Sequence, residues 1–129
     1  MKKLLAIKPM FNRIVTTFDK YEEDQIINGV YDPGKVKGSV KEYQEVLSVG
    51  TTVKDIKVGD IVHINPVRYS VMKHEDKSLK NGVIGDNMVI GYQFPIIEMG
   101  GKERLLLYDQ DIDFIVLESE EVPNGVIRI

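Results

Sequence analysis

The chain has 129 residues, 43% of them hydrophobic and 29% charged, with 17 basic against 20 acidic side chains and a net charge of −3. That length suits one domain of about 100–150 residues and disfavours two, and the charge balance lacks the basic excess that draws a protein onto nucleic acid. The absence of cysteine excludes disulfides, thiolate nucleophiles and Cys-ligated zinc.

At the N-terminus, Leu4-Leu5-Ala6-Ile7 ends at Lys8-Pro9, short of the roughly 7–15 apolar residues of a secretory signal. No run approaches the roughly 18 apolar residues of a membrane span, so a soluble, cytoplasmic protein with no membrane partner is expected. Leu5-Ala6-Ile7-Lys8-Pro9 and then Asn12-Arg13-Ile14-Val15-Thr16-Thr17-Phe18 predict strands, the second rich in β-branched residues.

Residues 19–43 carry turn chemistry: Asn28-Gly29, Asp32-Pro33-Gly34 and Gly38. About 25 residues without a clear element is long for a compact domain. Within them Ile26-Ile27 and Val30-Tyr31 form an apolar cluster that admits two readings. One is a short hairpin turning at Asn28-Gly29, whose apolar residues cover the core. The other is a flexible loop whose apolar hook orders on a partner.

Glu45-Val46-Leu47-Ser48-Val49-Gly50 predicts a buried strand closed by glycine. A short link through Thr51-Thr52-Val53-Lys54-Asp55 reaches Val58-Gly59-Asp60, where Gly59 can supply the positive φ of a tight turn. Ile61-Val62-His63-Ile64-Asn65 predicts the next strand, with His63 on the face opposite Val62 and Ile64.

Residues 66–104 hold a basic, polar stretch (Arg68, Lys73, His74, Lys77, Lys80), a hairpin turn at Lys80-Asn81-Gly82, and an apolar run from Met88 to Ile97. The turn Met99-Gly100-Gly101-Lys102 leads into Arg104-Leu105-Leu106-Leu107-Tyr108, so this region is expected to add two or three strands. A last strand follows at Asp111 to Glu118, then Ser119-Glu120-Glu121 and the apolar fragment Val126-Ile127-Arg128-Ile129. Short strands separated by glycine turns predict a small all-β barrel.

Catalytic chemistry is not indicated. His63 and His74 lack metal-ligand spacing, and the nucleophile-elbow, phosphate-loop and dinucleotide glycine motifs are missing. Asp109, Asp111 and Asp113 imitate part of a calcium loop, but the glycine and distant glutamate such a loop needs do not follow. They predict a strand-entry turn with solvated carboxylates. No catalytic residue, metal or cofactor is expected; a binding or assembly role is.

Taken in order, the ordered segments resemble the GroES or ten-kilodalton co-chaperonin family. Lys8-Pro9-Met10-Phe11-Asn12-Arg13-Ile14-Val15 resembles the family's opening Arg-Pro-Leu-x-Asp-Arg-Val. Glu45-Val46-Leu47-Ser48-Val49-Gly50 resembles its Val-x-x-Val-Gly strand, and Val58-Gly59-Asp60-Ile61-Val62 its Val-Gly-Asp-x-Val turn. The segment from Tyr108 to Glu118 resembles its closing strand.

The resemblance implies a GroES-like β-barrel over residues 1–129 and a homo-oligomeric ring, heptameric in the family, that caps the chaperonin large subunit without cofactors. Residues 19–43 fall where the family has its mobile loop, which places Gly29, Val30 and Tyr31, preceded by Ile26 and Ile27, at the chaperonin-docking motif. Contacts between first and last strands of neighbours would use Leu5, Ile7, Phe114 and Val116. Three features depart from the family: a roof hairpin cut to Thr51 through Asp55, a β-rich insertion at 66–104, and a C-terminal extension at 119–129. Tyr31 and Asp32-Pro33 also replace the aliphatic continuation of the docking motif.

A virus-encoded member, working in the host cytoplasm or in the virion, would fit these departures. The alternative is the same barrel used as a structural or assembly module, as in capsid decoration or scaffold binding. Arg68, Tyr69, Tyr92, Phe94 and the last four residues would then make the contacts. An accessory domain of an enzyme is disfavoured, since no nucleotide-binding half is present.

Overall fold

A computed structural model describes residues 1–27, 30–31, 35–73 and 88–121. The turns expected at Asn28-Gly29 and Lys80-Asn81-Gly82, His74, Lys77, and the C-terminal apolar fragment lie outside the described residues.

The strands are β1 (Arg13–Thr16), β2 (Ile26–Ile27), β3 (Val30–Tyr31), β4 (Tyr43–Val49), β5 (Ile61–Ile64), β6 (Ser70–Lys73), β7 (Met88–Tyr92), β8 (Ile96–Met99), β9 (Lys102–Tyr108) and β10 (Ile112–Ile115). Two short 3-10 turns, Val67–Tyr69 and Asp109–Asp111, complete the elements. The fold is all-β, as expected. Six strands form one antiparallel sheet in the order β10-β5-β4-β1-β9-β8, while β2–β3 and β6–β7 are separate two-stranded ladders.

Among the described residues this pairing leaves β10 and β8 as edges, so hydrogen bonds do not close the expected barrel. The sheet is nevertheless curled. Val62 and Ile64 on β5 share one core cluster with Leu105 and Leu107 on β9, although β4 and β1 separate the two strands. Ile14 and Val46 complete the buried centre, and Tyr69 and Phe94 from the insertion pack against it.

Position in the sheet explains the local sequences. β1 lies between β4 and β9, and Ile14, Val15 and Thr16 are all buried, which its β-branched run serves. β9 runs exposed at its start and then alternates, burying Leu105 and Leu107. β4 ends at Val49, and at the next residue, Gly50, an added Cβ would stand 2.1 Å from the Phe11 carbonyl oxygen. Gly59 has φ 96°, as its turn requires, and Gly100 and Gly101 (φ 65° and 80°) join β8 to β9 with Met99 opposite Lys102, a two-residue hairpin.

Two further expectations need correction. Residues 5–9 do not form a strand: Leu4 O accepts from Gly100 N at 2.8 Å and Ile7 O accepts from the Ser48 hydroxyl at 3.4 Å, with no ladder between. As expected, residues 66–104 add strands, and the apolar run from Met88 to Ile97 supplies two of them, parted at Pro95, which has no N–H to give. Its carbonyl accepts from Leu106 N while Gln93 N turns to Tyr69 O, sending β7 to β6 and β8 to β9.

The second correction concerns Asp111, which is not solvated but 2% exposed. It accepts from the Tyr69 hydroxyl, from Tyr108 N at 3.0 Å and from Arg68 Nε at 3.1 Å. Arg13 and Arg68 both stack on the Tyr108 ring, at 4.1 and 5.3 Å, and bind the insertion's first turn to β1 and β9.

Candidate functional site

The described residues of the segment 19–43 form an antiparallel arm between β1 and β4. Lys41 N bonds Asp19 O at 2.9 Å, Lys20 bridges to Val40, Tyr21 N bonds Ser39 O at 2.9 Å, and Gln25 N bonds Lys35 O at 3.0 Å. Farther out, Ile26 pairs with Tyr31 and Ile27 with Val30. These two pairs are antiparallel and continue the arm outward. Gly29, the remaining residue of the expected docking motif, lies outside the described residues.

The root of the arm is fixed by one buried amide. Gln44 Oε1 accepts from the Thr17 hydroxyl at 2.7 Å and from Asp19 N at 3.0 Å. Its Nε2 donates to Asp19 O at 2.9 Å and to Lys41 O at 2.8 Å. Two donor and two acceptor positions are filled, so the buried amide costs little and holds both strands of the arm.

Glu42 adds a charged tie. Tyr21 donates its hydroxyl to Glu42 Oε2 at 2.5 Å and Lys35 Nζ lies 3.3 Å from Oε1. Burial works to raise the Glu42 pKa, but the Tyr21 bond, a backbone bond and Lys35 together outweigh it and hold the carboxyl below its ordinary value. Farther along the arm Ile26 is 38% exposed.

The four expected subunit-contact residues occupy two separate places. Leu5, 73% exposed, adjoins the β8–β9 turn through the Leu4–Gly100 bond, and Ile7 is half-buried beside β4. Phe114 is 49% exposed on the edge strand β10, and Val116 is half-buried where its N–H bonds Ile61 O at 2.8 Å. The two pairs are not brought together within one chain.

Phe114 belongs to an aromatic row that the sequence reading missed. Its ring stacks on His63 at 4.7 Å and 7°, and Tyr43 meets His63 edge-on at 5.3 Å. The registers explain the row: Tyr43 lies opposite His63, and His63 opposite Phe114. His63 does face away from Val62 and Ile64, as expected, and its Nδ1 lies 3.1 Å from Asp113 Oδ2. Strand alternation could have placed each ring outward, but only the pairing shows that they touch. Between this row and β7 an open cleft of about 760 Å³ has Tyr43, Tyr92 and Phe94 on its walls.

Among the described residues no group of three or more His, Asp or Glu side chains could hold a metal ion, and no helix is long and apolar enough to cross a membrane. The arrangement suits contact by exposed apolar groups on a rooted arm and on an edge strand.

No protein-family model matches the chain. It is similar to the co-chaperonin GroES of Thermodesulfovibrio yellowstonii, with 29% identity over 82 residues, covering 56% of this chain and 92% of that relative. Nearly the whole relative is thus represented, and the surplus length belongs to this chain. The antiparallel all-β sheet and the long arm between β1 and β4 accompany that similarity, which supports a divergent GroES-like protein.

Proposed function

We propose that the chain is a co-chaperonin: a single folded unit, assembled as a ring of seven copies, that caps a chaperonin large subunit and assists protein folding without catalysing a reaction. Ile26, Ile27, Gly29, Val30 and Tyr31 on the arm make the docking contact. The observation that carries this reading is the arm itself, rooted on Gln44 and bearing the Ile26–Tyr31 and Ile27–Val30 pairs, in a chain similar to a co-chaperonin over 92% of that protein. A short apolar contact is weak alone; several on one ring bind through effective concentration and can still be released.

The test is capture of the protein by an immobilised chaperonin in the presence of nucleotide, with Ile27→Asp and Val30→Asp as paired variants. Capture of the native protein and its loss in both variants supports the docking contact. Failure of the native protein to bind, or equal capture of all three, overturns it.

A second reading, an assembly module of the capsid-decorating or scaffold-binding kind, rests on Val71, Met72 and Tyr92, which expose apolar surface on the separate β6–β7 ladder. Tyr69 and Phe94 are less available to a partner than the sequence implied, since both pack on the core and lie 5.5 Å apart. Replacing residues 70–92 by a short turn leaves chaperonin capture intact under the first reading and abolishes assembly under the second.

A further inference from the structure

On the other side of the arm's root lies an open cavity of about 490 Å³ with an unusual charge arrangement. Lys20 and Lys41 reach it from the two strands of the arm, and Lys102 and Arg104 from the start of β9. The last two are two positions apart on one strand and so share a face. Asp19, Glu22 and Glu103 also line the cavity, yet among the described residues none of the four cations forms an ion pair. Lys20 Nζ sits over the Phe18 ring at 4.9 Å and Lys41 Nζ over Tyr21 at 5.7 Å. The Arg104 Nε is sealed from water with no acceptor, a state uncommon for a buried donor.

Four cations from two elements, none of them in an ion pair among the described residues, are arranged for a ligand with several negative oxygens. We infer that this cavity binds a small phosphate-class oligoanion, such as pyrophosphate or the polyphosphate chain of a nucleotide. The Arg104 guanidinium would take two phosphate oxygens by its fork, while the three lysines act as point charges around the remainder. A bound oligoanion joins the arm, through Lys20 and Lys41, to β9, and so stiffens the arm at its root. The inference stands whether or not the arm meets a chaperonin.

Isothermal titration calorimetry on the full chain tests it, with sodium pyrophosphate and metal-free ATP at constant ionic strength against a sulfate background. Saturable binding of both is expected, weakened at least about tenfold by Lys41→Gln with Lys102→Gln and strengthened by Asp19→Asn, which removes a repelling carboxylate. Arg104→Lys should lose most of the affinity, because an ammonium cannot bind two oxygens as a fork. Should that variant fold poorly, the lysine pair and Asp19→Asn still decide the matter. No saturable heat, equal affinity in the double lysine variant, or binding of ATP without pyrophosphate overturns the assignment, the last because recognition would then lie in the base.

Discussion

Asp111 shows how much one side chain can hold in this fold. With 2% exposure it accepts from the Tyr69 hydroxyl, Arg68 Nε and Tyr108 N, and so fastens the insertion's first turn to the end of β9. Burial, then the hydrogen bond to Asp111, push the Tyr69 hydroxyl far above the ordinary tyrosine range, so it remains a donor throughout neutral pH. Asp111→Asn is expected to lose about 1.5–3 kcal/mol and Tyr69→Phe about 0.5–1.5 kcal/mol, less than additively when combined. Urea denaturation of the two variants and their double measures this. The sequence hid the role because the partners lie 42 positions upstream, inside the insertion. The regular spacing of Asp109, Asp111 and Asp113 reads as three solvated carboxylates, and only Asp113, 41% exposed, comes near that description. Gly50 was the converse case, legible as a strand end though not for its reason. A Cβ there meets the Phe11 carbonyl oxygen at 2.1 Å, and backbone cannot move aside as a side chain would. Gly50→Ala should therefore cost about 1–3 kcal/mol, read as a lowered urea midpoint with unchanged slope.

At the scale of elements, the strands legible one by one in the sequence are those whose own residues alternate or are β-branched, β1, β4, β5, β9 and β10, while β7 and β8 show as one apolar run in a region expected to add two or three strands. The segment at 5–9 has the composition of a strand but no partner along its length, and composition cannot supply one. For the arm the sequence left a hairpin and a flexible loop both open, and the antiparallel pairs Ile26–Tyr31 and Ile27–Val30 are those of the first. What the sequence could not show is the root, where Gln44 and Glu42 gather groups from 19 to 41. Glu42 makes that root sensitive to acid. Its pKa in the folded chain lies below the ordinary 4.5, so its contribution is fully present above that value and is lost as pH falls through the lower, folded one. Between neutral pH and about 5 the arm should keep its protection from amide exchange. Below about pH 4 that protection should fall in residues 20–42 before it falls in β1 and β9. Glu42→Gln should remove the acid step. An acid step that persists in Glu42→Gln would assign it to another carboxylate.

For the whole molecule, the open edges of the sheet matter most. An edge strand with exposed apolar groups is a site for pairing unless it is covered, and β10 presents Phe114 beside its aromatic row. Leu5 stands near the β8–β9 turn, joined to the opposite end of the sheet order. Two unlike patches at separate places on one chain make a head-to-tail contact, which closes into a ring when the rotation allows. Leu5→Asp should leave stability within about 0.5 kcal/mol, since the side chain is 73% exposed. Phe114→Asp should cost about 0.5–1.5 kcal/mol of its own through the lost stack on His63. Each variant alone should sediment as a folded monomer where the native chain sediments as a ring. Mixed together, they should form heterodimers and stop there, because the intact Leu5 patch of one can meet the intact Phe114 patch of the other only once. If either single variant dimerises with itself, the patches pair like with like, and the head-to-tail ring is wrong.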